Sequence, residues 1–250
     1  MSESNANPPP LPPIIPPVVA QPPPPDKPPV EHKPIDGFVA AVEALLREPQ
    51  RVVFQLTQPG AERLIAALLA SAIGCALVYG VVVGMFSGGT QLWAAPLKIA
   101  VGLLLSAAIC LPSLYIFACL SGSHARLATV CGLVAGLLAL ATLLLLGFAP
   151  VAWVFSESTE SVVGMGAIHL GFWFIASYFG LRFLHEGFRQ LDASTGGALI
   201  AWVVVFMLVT LQMTTALRPI VGTEPTLLPA EKQFFLGHWI ECMDGSTKKK

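Results

Sequence analysis

Leu127 to Phe148 reads LATVCGLVAGLLALATLLLLGF and contains neither a charge nor a proline. Its length matches the roughly 20 residues that an α-helix needs to cross a hydrocarbon core. Without water, a single segment can satisfy its own backbone polar groups only as a helix, so the solvent this stretch is built for is lipid. Four more segments share that character: Leu64 to Phe86 and Pro96 to Leu120 before it, Val162 to Leu184 and Ala198 to Leu217 after it. The fold class is therefore all-α, a polytopic transmembrane helical bundle of about five spans over residues 61–218. The connections are short, which predicts antiparallel neighbours in one compact bundle.

Composition agrees with lipid as solvent. Hydrophobic residues make up 54% of the chain and charged ones 12%, with a mean hydropathy of +0.71, whereas a soluble domain carries roughly a quarter charged residues. The formal net charge of -1 leaves no basic footprint for nucleic acid. Cys75, Cys110, Cys119 and Cys131 fall in apolar stretches, and no pair of cysteines has CxxC spacing, so neither a disulfide framework nor a zinc site is expected.

Residues 1–34 are dominated by proline, including Pro8 to Pro10 and Pro22 to Pro25. Proline withholds backbone donors and favours an extended polyproline conformation, which predicts a disordered, solvated tail able to dock a protein partner through PxxP spacing or to act as a spacer. No basic region followed by an apolar core precedes it, so the first span should act as an uncleaved anchor. Within residues 35–60, Ile35, Phe38, Val39, Val42, Leu45 and Leu46 recur at helical spacing. That pattern predicts short amphipathic helices, lying on the membrane surface or packed beneath the bundle.

Arginine placement sets the orientation. Arg47, Arg51 and Arg63 flank the first span, Arg126 lies in the second loop, and Arg182 and Arg189 flank the fourth span. An excess of positive charge marks the cytoplasmic side, so the amino terminus is expected to be cytoplasmic. Five spans then put residues 219–250 outside as a short tail. Lys98, Arg218 and Lys232 are positives on the opposite side.

Ionisable groups at membrane depth are costly and become site candidates by default. Here they are Lys98 and His169, with Gln212 as a polar companion and Arg218 at the outer end of the last span. They occupy one leaflet, near Glu157 and Glu160, and could form an intramembrane polar cluster. The structural alternative is that Lys98 and Arg218 snorkel and that His169 makes one hydrogen bond. Gly80, Gly84 and Gly88, and then Gly132 and Gly136, have GxxxG spacing, which allows close helix approach within the chain or in a homo-oligomer. Pro112 and Pro150 should kink or end their helices.

No catalytic, cofactor-binding or metal residues emerge. His185-Glu186 opens like a zincin motif, but Arg189 stands where the second histidine belongs. Ser123 beside His124 has no accompanying acid, and GxSxG, GxxxxGK[ST] and GxGxxG are all missing from the sequence.

Several short stretches carry a family resemblance: Arg47-Glu48-Pro49, Tyr79-Gly80-Val81-Val82-Val83-Gly84, Leu92-Trp93-Ala94-Ala95-Pro96-Leu97-Lys98, Leu111-Pro112-Ser113-Leu114-Tyr115 and Leu217-Arg218-Pro219-Ile220-Val221-Gly222. With the order tail, short helices and five spans, the chain resembles a bacterial branch of the Yip1-like membrane proteins from about Arg47 to Trp239. Gln91-Leu92-Trp93 stands where the eukaryotic members carry a DLYGP-type signature. The resemblance implies a non-enzymatic scaffold or interaction protein; eukaryotic members bind small GTPases and shape transport membranes. The competing expectation is a small transporter or channel subunit using the polar cluster.

Overall fold

The computed structural model describes residues 34–87, 91–123, 125–158, 162–191 and 197–216. The proline-rich tail, Arg218 and the C-terminal tail lie outside the described residues. Seven helices and no strand occur among the described residues. Two are short, α1 (Phe38–Arg47) and α2 (Pro49–Thr57); four are long, α3 (Glu62–Ser87), α4 (Gln91–Leu120), α5 (Leu127–Ser158) and α6 (Val162–Gln190); and α7 spans Gly197–Ala216. The four long helices are long and apolar enough to cross a membrane, while the apolar stretch of α7, Leu199–Met213, is shorter.

The long helices outrun the boundaries expected from apolarity. Pro96, Pro112 and Pro150 all lie inside helices, so Pro150 does not end α5 and Glu157 belongs to its last turn rather than to a loop. A proline removes one ladder bond and leaves the carbonyl four residues earlier without its donor. A local bond cost of that kind is tolerated when both flanking segments are held by tertiary packing.

α5 is the centre of the bundle, with 67% of its most apolar stretch buried inside the protein against 28% to 39% for the other three long helices. α3 packs against α5 and α4, and α6 packs on α5. The expectation that successive spans are neighbours fails at the last step: α7 follows α6 in sequence but packs on α4. Its anchor is Trp202, whose indole N–H donates to the Cys110 carbonyl at 2.9 Å. That carbonyl also accepts from the Ser113 hydroxyl at 2.8 Å, beside the ladder bond that Pro112 removes.

Glycine contacts explain the close spacing, and those resolved are made within the chain. A Cβ on Gly80 would meet the backbone of Pro96, one on Gly136 the ring of Phe183, and one on Gly187 the side chain of Leu133 at 2.5 Å. Gly180 lets the Leu137 carbonyl of α5 approach to 3.0 Å from the same position. The α5–α6 interface thus uses glycine from both helices.

α1 and α2 form a layer beneath one end of the bundle. Ala41, Ala44, Leu45, Val52, Val53 and Leu56 are buried against α3, α5 and α6, whereas Phe38, Val39, Leu46 and Phe54 are exposed. The Thr129 hydroxyl at the start of α5 donates to the Leu56 carbonyl at 3.3 Å, and Gly132 receives Leu56. Gln55 closes the layer: its amide accepts the Ile35 N–H at 2.8 Å and donates back to the Ile35 carbonyl at 3.3 Å. We call this the proximal end of the bundle and the opposite end distal.

Gly80→Ala should destabilise the protein toward the upper end of the ~1–3 kcal/mol typical of overpacking, because the obstructing atoms are backbone. Gly74→Ala, which meets nothing within 4 Å, should leave thermal stability in detergent unchanged. Equal melting temperatures for the two variants would contradict the α3–α4 contact.

Candidate functional site

α3 carries a buried polar stripe. Ser71, Cys75 and Tyr79 recur every four residues, so they stand one above another on one face, about 6 Å apart along the axis. Alanine, leucine and valine make up most of the rest of the helix, and a face this polar has to be covered by protein rather than lipid. α5 and α6 cover its distal part: Tyr79 shares one buried cluster with Val83 of its own helix, with Ala141, Leu145 and Ala149 of α5, and with Ala176 of α6.

Across them, the Tyr79 hydroxyl meets Nδ1 of His169 on α6 at 2.6 Å, with the two rings edge to face at a centroid distance of 5.6 Å. Both residues are buried, His169 to 3% exposure. The other ring nitrogen, Nε2, is buried without a hydrogen-bond partner among the described residues. No choice of tautomer repairs this. If Tyr79 donates to Nδ1, Nε2 carries an unpaired proton; if Nδ1–H donates to the phenol, Nε2 presents an unpaired lone pair. A buried donor or acceptor left unpaired costs roughly 1–3 kcal/mol.

The Ser71 hydroxyl is buried on the same stripe, one turn before the Cys75 thiol, its side-chain hydrogen-bond neighbour. Other buried span hydroxyls bond back to their own helix: Ser106 to the Gly102 carbonyl, Thr142 to Leu138 and Thr210 to Phe206, each at 2.8 Å. Ser71 departs from that habit.

Tyr79 and the sequence candidates Lys98 and His169 fall at one depth. Tyr79 lies eight residues before Ser87, Lys98 seven after Gln91 and His169 seven after Val162, so each is about 10–12 Å inside the distal end of its helix. The Gly80–Pro96 contact fixes this register between α3 and α4. Counting from the Trp202–Cys110 bond along antiparallel helices puts Gln212 within about one turn of Lys98. Lys98 itself is buried, on a stripe with Ala95, Gly102 and Ser106, and forms no ion pair among the described residues. Glu157 is exposed at the distal end of α5, while Glu160 and Arg218 lie outside the described residues.

Tyr79 and His169 form a buried phenol–imidazole pair in the distal half of the bundle, and Lys98 on α4 shares its depth. Among the described residues, no three His, Cys, Asp or Glu side chains gather as a metal ion would require. Ser123 is occupied as a turn acceptor for the Ala125 N–H at 3.2 Å, and Glu186 is paired with Arg189 at 2.8 Å. Tyr79, Ser71 and Trp202 were not singled out as site residues from sequence. The i, i+4, i+8 spacing of Ser71, Cys75 and Tyr79 was the available signal for the first two.

A double-mutant cycle should show strong coupling between Tyr79 and His169. Tyr79→Phe alone strands both imidazole nitrogens and should cost about 1–3 kcal/mol, while Tyr79→Phe with His169→Leu should cost clearly less than the sum of the single changes. Additive losses in unfolding free energy would refute the bond. No family model matches this chain, and neither a curated protein nor a solved structure matches it.

Proposed function

We propose that the chain is a five-span, non-enzymatic membrane protein of the bacterial cytoplasmic membrane, a scaffold or interaction component that presents its proline-rich N-terminal segment to a protein partner. The observation that carries this reading is the Gln55 clamp. By holding both polar groups of the Ile35 backbone, it fixes the point where the proline-rich segment joins the bundle. A recognition segment with a fixed root loses less freedom on capture than one joined through a frayed helix.

Charge supports the orientation. Arg47, Arg51, Arg63, Arg126, Arg182 and Arg189 all lie toward the proximal end, and the buried Lys98 lies in the distal half. The proximal side is then cytoplasmic. α7 is taken as the fifth span on its apolarity and its antiparallel packing along α4, with the carboxyl terminus outside. The Yip1-like resemblance points the same way. The competing reading, a small transporter or channel subunit, draws on the unpaired His169 Nε2 and depends on what occupies that site.

An affinity pulldown from membranes should lose specific partners when residues 1–34 are deleted. An identical partner set would end the tail's role. In intact cells Cys242 should react with an impermeant maleimide and a cysteine introduced at Ser4 should not. Labelling of both, or of neither, from outside would mean an even number of spans.

A further inference from the structure

We propose that the distal half of the bundle holds an internal water site, bonded to His169 Nε2, through which His169 exchanges protons with the distal aqueous phase. The ligand class is water, and protons carried by it. This goes beyond the scaffold reading and does not depend on it.

Three observations converge. The first is the buried unpaired atom itself, His169 Nε2. The second is that the deficit at His169 is independent of tautomer, so moving the proton between the ring nitrogens cannot remove it. The third is the lining: the buried cluster that holds Tyr79 consists otherwise of Val83, Ala141, Leu145, Ala149 and Ala176, whose side chains are all apolar, leaving it to solvent or a small ligand to supply the missing bond. Buried waters characteristically satisfy polar atoms that protein groups cannot reach.

The chemistry distinguishes this site from an anion or metal site. Imidazole and phenol groups each donate and accept, as water does, and no buried carboxylate occurs among the described residues. Lys98, buried at the same depth without an ion pair among the described residues, also requires hydration or a polar neighbour to remain charged. Entry from the distal end is the shorter route, since His169 lies only about 10 Å from it. At the proximal end the α1–α2 layer covers the bundle with Leu45, Val52 and Leu56.

The test is water-edited solid-state NMR of the full chain in lipid bilayers with ¹⁵N-labelled histidine. The His169 resonance is assigned through its contact with the Tyr79 ring, and exposed His185 serves as internal reference. Water-to-protein transfer at His169 Nε2 should build up within about twofold of the rate at His185. Transfer several-fold slower, matching lipid-facing side chains, would overturn the proposal. A wet site with an unaltered pulldown would leave this inference standing and the scaffold reading refuted; a dry site with partner loss would do the reverse.

Discussion

Inside a bilayer a leucine gains little by moving from lipid tails into protein, so a helical bundle must be held by contacts that lipid cannot imitate. In this chain those contacts converge on α5. Gly136, Gly180 and Gly187 bring α5 and α6 close enough for side chains to fit into backbone hollows, and Gly80 does the same between α3 and α4. The Tyr79–His169 bond depends on this closeness, because it joins α3 to α6, the two helices that flank α5. The polar site is a product of the packing as much as of its own residues.

The α1–α2 layer obeys a different rule. It lies at the bundle end, where water competes, so burying Leu45, Val52 and Leu56 stabilises by roughly 1.5–3 kcal/mol per side chain in the ordinary hydrophobic manner. Two regimes of cohesion therefore meet at Leu56. Its side chain packs in the layer and over Gly132, and its carbonyl accepts from Thr129.

Much of this was legible from the chain. Apolar runs long enough to span gave the four long helices, because length and polarity are local properties. Lys98 and His169 stood out because ionisable groups at that depth are rare. Their arrangement was not legible: Tyr79 reads as an ordinary apolar-interface residue until α6 is placed beside it. The expectation of sequential neighbours failed for α7 because a buried Trp202 finds an acceptor on α4, a preference that loop length does not encode. Pro150 was expected to kink or end its helix; α5 runs on through it to Ser158, because tertiary packing offsets proline's local penalty. The Gln55 clamp was also hidden, since a glutamine between apolar residues gives no sign that its amide will bind the backbone of residue 35.

That clamp has a mechanical consequence. A pull on Ile35 is carried by two paths at once, along the backbone into the first turn of α1 and through two hydrogen bonds into Gln55, in the middle of α2. From α2 it reaches the central helix through Leu56 and Thr129, so the load is shared with the most deeply buried element of the bundle.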